Sequence, residues 1–163
     1  MALCLVGSEM CIRASDNIEN KKGDILNLNQ KIYKRFYKFN DFQFIAIGTK
    51  EINMQVENLV AQLQSGTNTE MTKWFFLLQE SKYSKNLFES LGTDLKLDEF
   101  HGSPYVFIID KKGFLRGRND SDGIKFGYDM RSVAELNNYM VDDVKIILAE
   151  YRLALKKNNI LDN

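Results

Sequence analysis

The sequence predicts an α/β domain, a central mixed sheet flanked by helices. Short apolar runs rich in aromatic and β-branched residues alternate with segments whose apolar residues recur at helical spacing. Two of the runs, Tyr105–Asp110 and Phe114–Arg118, flank the tight-turn sequence Lys111-Lys112-Gly113 and so read as an antiparallel hairpin. A long amphipathic stretch closes the chain.

In chain order, Ala2–Val6 is an apolar run closed by Gly7-Ser8, as expected of a strand buried on both faces. The polar stretch Ser15–Gly23 reads as a loop or a frayed helix end. Asp24 then caps a helix carrying Ile25, Leu28, Ile32, Tyr33, Phe36 and Tyr37. Phe42–Ile47 is a second buried strand. Ile52, Val56, Leu59, Val60 and Leu63 mark a helix that ends in the breaker-rich Ser65-Gly66-Thr67-Asn68. Trp74–Leu78 is a further short strand, and Tyr83, Leu87, Phe88 and Leu91 form a helix stopped by Gly92. After the hairpin, Asn119–Gly123 is an acidic loop, with Arg116, Arg118, Asp120, Asp122 and Asp129 read as a solvated face. Ser132–Lys157 is the closing helix. The order β-α-β-α-β-α-β-β-α, with parallel units followed by a hairpin and a helix, describes a thioredoxin-like arrangement. The hairpin argues against a flavodoxin-like sheet.

At 163 residues, with no repeat, linker or low-complexity segment, residues 1–163 are expected to form one domain. Hydrophobic residues at 44% and charged residues at 27% exclude wholesale disorder. Twenty-two basic residues balance twenty-two acidic ones, which leaves no field to draw in nucleic acid or an anionic membrane. Apolar runs such as Trp74–Leu78 fall far short of the roughly 20 residues of a membrane-spanning helix. Met1–Val6 is too short and lacks the basic leader of a signal peptide, so nothing in this stretch is expected to export or anchor the chain.

The block His101-Gly102-Ser103-Pro104-Tyr105 through Arg116-Gly117-Arg118 resembles the SCO/SenC family of thioredoxin-like proteins. There a His precedes a strand that ends in Asp, followed by a turn Gly and an arginine-bearing strand. Phe44–Gly48, Lys73–Leu77 and Phe126–Asp129 are similar to other family segments in order, so the resemblance spans residues 42–157. It implies copper handling or thiol redox chemistry linked to cytochrome oxidase assembly, with a respiratory oxidase subunit or thiol-redox protein as partner. A metallochaperone or redox-related protein is implied rather than a conventional enzyme. For the full gene product it implies a periplasmic or membrane-anchored setting. The alternative is a degenerate thioredoxin-like interaction module without metal or redox activity.

The family's copper site uses two cysteines in C-x-x-x-C after the first strand, plus the distant His. By resemblance His101 is the ligand His, and Cys11 stands at the second cysteine's place, with Gly7 at the first. Copper(I) favours thiolate and thioether ligands with imidazole as a further donor, so Cys11 and His101 are the candidate metal ligands and Met10 or Cys4 a third. The competing readings make Cys4 a small core hydrophobe and His101 an ordinary loop residue. Cys11, read as lying near a helix start, would feel the dipole and become a redox thiol, or else stay an inert thiol. Pro104 opens a strand and so marks its start. The resemblance allows it to be the cis proline beside the active cysteine, a trans bond being the alternative. The single His neighbours no G-x-S-x-G turn, so Ser-His-Asp chemistry is not expected.

Overall fold

The computed structural model describes residues 2–3, 9–13, 22–98, 102–120 and 123–161. In chain order they form β1 (Ala2–Leu3), β2 (Glu9–Arg13), α1 (residues 22–36), β3 (Gln43–Thr49), α2 (Asn53–Thr67) and β4 (Trp74–Gln79). These are followed by α3 (Ser81–Ser90), β5 (Tyr105–Ile109), β6 (Leu115–Arg116), β7 (Arg118–Asp120), β8 (Gly123–Lys125), β9 (Tyr128–Asp129) and α4 (residues 133–161). The protein is mixed α/β, as the alternating periodicities predict.

β2, β3 and β4 run parallel, through Arg13 opposite Ile47 and Phe44 opposite Trp74. β5 runs antiparallel to β2, from Glu9 opposite Ile109 to Ile12 opposite Val106. β6 returns antiparallel on β5, with Ile109 opposite Leu115. The main strands therefore lie in the order β4-β3-β2-β5-β6, with β1 against β2 and β3 and β9 against the start of β5.

The hairpin turn is built by Asp110. Its Oδ1 accepts the N–H groups of Lys112 (2.9 Å) and Phe114 (3.0 Å), and its carbonyl accepts from Gly113 at 2.8 Å. Gly113 sits at φ +82°, a conformation glycine adopts without steric cost. This Asx-turn chemistry explains why a short DKKG segment reverses the chain.

Two sequence expectations are corrected. Of the strand expected over Ala2–Val6, Ala2–Leu3 are strand and the rest lies outside the described residues, but the central place belongs to Glu9–Arg13. The central position is set by pairing on both edges, to β3 and β5, rather than by local hydrophobicity. Cys4 and Val6 lie outside the described residues. The strand expected over Phe114–Arg118 shrinks to Leu115–Arg116, because the chain breaks at Gly117 and starts a second hairpin, β7–β8, where an acidic loop was expected. A Cβ at Gly117 would lie 2.6 Å from both Ile124 Cγ2 and Phe126 Cδ1, so the hairpin folds tightly over that glycine. The helix expected to end within Ser65-Gly66-Thr67-Asn68 does so: α2 ends at Thr67, where Asn68 adopts the left-handed conformation and its N–H bonds to the Gln64 carbonyl.

Helices cover both faces of the sheet. On one, the Tyr33 ring of α1 lies 5.6 Å from Phe44 and 5.8 Å from Trp74, which stack on each other at 4.7 Å. α4 lies beside α1, tied by Arg35 to Asn137, and buries Leu136, Met140, Val144 and Ile147. On the other face Phe88 of α3 meets Phe107 edge-on at 5.8 Å. Both α1 and α4 contain a π-helical turn, at Asn29–Tyr33 and Leu136–Met140. Among the described residues no helix is long and apolar enough to cross a membrane.

Candidate functional site

β2, β3 and β4 end where β5 begins, and ligands of open α/β sheets collect at such carboxyl ends. Pro104, β9 and the turn after it share this end. The Pro104 carbonyl accepts the Met130 N–H at 2.9 Å, which fastens that turn to the strand entrance. Ser103 is fully buried, and its Oγ accepts the Tyr105 N–H at 3.1 Å.

The turn is a small charged scaffold. Asp129 Oδ1 accepts from the Arg131 backbone N–H and from Nε, both at 2.9 Å, while Oδ2 meets NH2 at 2.6 Å. Those bonds to Arg131 hold the Asp129 carboxyl below its usual range. Bonding to Asp129 raises Arg131 in turn, and the charges of Tyr105 and of Asp24 in the first turn of α1 add to the effect. Ser132 caps α4 by accepting the Glu135 N–H at 3.2 Å. Glu135 Oε1 accepts the Asp129 N–H at 2.9 Å and pairs with Lys125 at 2.7 Å. A cavity of about 390 Å³ lies at another place, between Phe39 and Arg152, whereas the one at this end holds about 310 Å³ between Thr93, Tyr105, Lys125, Asp129 and Glu135.

The residues expected to carry chemistry are placed as follows. Cys11 is in the middle of β2, opposite Phe107, with Ile12 and Arg13 continuing the strand. This corrects the expectation of a cysteine near a helix start. Cys11 stands within a strand and not at a helix start, so the dipole argument for an activated thiol loses its basis. Residues 14–21, Ala-Ser-Asp-Asn-Ile-Glu-Asn-Lys, contain no cysteine. His101 lies outside the described residues, and with it the expected approach of Cys11 and His101. Its flanks are pinned together, since Asp98 Oδ1 accepts the Gly102 N–H at 2.6 Å and the Asp98 N–H donates to the Gly102 carbonyl at 2.9 Å. The bond before Pro104 is trans, so the cis alternative is corrected. Among the described residues no three His, Cys, Asp or Glu side chains gather as a metal-binding set.

No family model, curated protein or solved structure matches the chain.

The sequence reading missed the ionic pairs by treating the arginines and aspartates as a solvated face. Arg118 Nε and NH2 instead grip both oxygens of Asp143, at 3.0 and 3.1 Å, and the guanidinium lies 4.8 Å from the Tyr139 ring. Arg116 forks onto Glu150 at 3.1 Å and stands 3.6 Å from Asp110. Besides Pro104, the Ser132-x-x-Glu135 spacing, a helix-start pattern, is a sequence signal for this end of the molecule.

Proposed function

We propose that this is a thioredoxin-like domain of the SCO/SenC type that serves as an interaction module without metal or redox activity. The fold part of the reading is supported by the strand order β4-β3-β2-β5-β6, with parallel strands on one side and an antiparallel hairpin followed by a long helix on the other. The functional part rests on one observation. Cys11 lies inside the central strand opposite Phe107, and residues 14–21 of the sequence hold no cysteine to take part in exchange or coordination.

Thiol exchange requires an accessible thiolate and a second sulfur to attack or resolve it. Copper(I) delivery requires soft donors that converge. Cys11 and His101 are the two donors in question for that chemistry. Titration of the reduced protein with Cu(I) against a competing chelator tests the reading, with Cys11→Ser and His101→Ala as variants. Copper affinity is expected to be the same in all three proteins. A loss of stoichiometric copper in both variants would overturn the reading in favour of copper handling.

A further inference from the structure

We propose that β4 is the seam of a two-fold dimer, in which two copies of this chain pair β4 with β4, antiparallel, each Phe76 opposite its counterpart. β4 ends the sheet, and among the described residues no strand pairs with its outer edge. The Phe44 N–H donates to the Lys73 carbonyl at 2.7 Å. That bond fixes the alternation: Phe75 and Leu77 turn their backbone groups toward β3, while Trp74, Phe76 and Leu78 turn theirs outward. The Trp74 N–H bonds back to the Met71 carbonyl at 3.1 Å. Its carbonyl and both groups of Phe76 and Leu78 face the open edge.

Edge strands of soluble domains are commonly blunted by a charge, a proline or a bulge. The strand WFFLLQ has no charge or proline, and it exposes Phe75 (48%) and Leu77 (49%) together on one face. Charge stands only at its two ends, Lys73 before it and Glu80 after it. The Lys73 ammonium is held by the Phe39 carbonyl, and Glu80 pairs with Lys82 at 3.3 Å. Antiparallel pairing brings the basic start of one strand beside the acidic end of the other, whereas parallel pairing would set like beside like. The edge is therefore complementary to a second copy of itself.

The register follows from the exposed side chains. Centred on Phe76, the pairing sets Phe75 of each copy opposite Leu77 of the other, in the close non-hydrogen-bonded positions with Cα atoms about 4.5 Å apart. Thr72 then stands opposite Glu80. Such an interface is isologous and closes on itself. One strand pair, with the half-exposed Tyr83 nearby on α3, falls short of the roughly 1,000 Å² of a permanent interface, so the dimer exchanges with monomer.

Sedimentation velocity of the whole chain over a concentration series tests this. The expected result is a monomer–dimer equilibrium whose midpoint moves at least about tenfold higher in Leu77→Lys, with an unchanged circular-dichroism spectrum. Glu80→Lys should weaken the dimer too, because it sets a positive charge next to the basic start of the other copy's strand, beside Lys73. Adding Thr72→Glu to Glu80→Lys should restore it. A monomer at every concentration, a dimer indifferent to Leu77→Lys, association beyond the dimer, or failure of the double variant to recover would each overturn the proposal.

Discussion

Arg118 and Asp143 hold the β7–β8 hairpin against α4 through two bonds, Nε to Oδ2 at 3.0 Å and NH2 to Oδ1 at 3.1 Å. The Tyr128 hydroxyl donates to the same Oδ2 at 2.8 Å. One carboxylate thus collects β7, β9 and the closing helix. The pair is half sheltered, its side chains being 30% and 16% exposed, so it belongs between the weak surface bridges and the costly buried ones. Asp143→Ala strips the acceptor from both Arg118 and Tyr128. We expect a loss of about 1.5–3 kcal/mol in urea unfolding, the range for hydrogen bonds to charged groups. A midpoint within error of the wild type would show that the network is only decorative.

Tyr128 carries a second consequence. Burial raises its pKa far above the usual tyrosine range, and the bond to the Asp143 carboxylate raises it further. The folded protein therefore keeps this hydroxyl protonated where the unfolded chain has lost its proton. The sign is that of a raised folded pKa: the contribution is fully present below about pH 10, the unfolded value, and erodes as pH rises above it. Stability measured from pH 8 to 11 should fall more steeply in the wild type than in Tyr128→Phe. Equal slopes would remove Tyr128 as the source.

How far the sequence foretold the structure depended on how local each signal was. The β5–β6 hairpin was legible because Asp110 and Gly113 encode their turn within a few residues. α1, α2 and α3 were legible from apolar spacing. Glu9–Arg13 was not, because its rank as the central strand comes from neighbours far along the chain, Ile47 and Val106. The candidate site was least legible of all. Arg118 meets Asp143 twenty-five residues on, a contact that no window on the sequence displays. Asp129 and Arg131 are close enough to have been paired by inspection, but their tie to Pro104 needs the β5–β9 pairing.

Gly127 should tolerate no side chain. It sits at φ +89°, and a Cβ there would come within 2.9 Å of both Leu95 Cδ1 and Phe107 Cε1. Backbone strain and crowding act together in Gly127→Ala. The strain alone costs about 1–3 kcal/mol, and Phe107, fixed in the sheet core, has little room to yield. Gly92→Ala is the control, since Gly92 is also at positive φ (+65°) but has nothing within 4 Å of its Cβ. Thermal melts should rank Gly127→Ala clearly below Gly92→Ala, which isolates crowding from strain. Equal melting temperatures would mean that Leu95 and Phe107 move aside freely.

Asp129 gives the last test, at the sheet end itself. The bonds from Arg131 hold its carboxyl below the ordinary value, so its contribution to stability is present above the unfolded pKa of about 3.9 and is lost as pH falls through the lower folded value. Arg131 is largely exposed, which makes the effect on global stability small and puts the useful signal in the titration itself. In Arg131→Gln, the Asp129 carboxyl followed by NMR should titrate at higher pH than in the wild type. Asp129 Oδ1 also orders the Arg131 N–H, and the Met130 N–H beside it bonds Pro104. Asp129→Ala should therefore speed hydrogen exchange at Met130 while leaving the β3 amides protected. Unchanged exchange at Met130 would show that the turn holds Pro104 without its carboxylate.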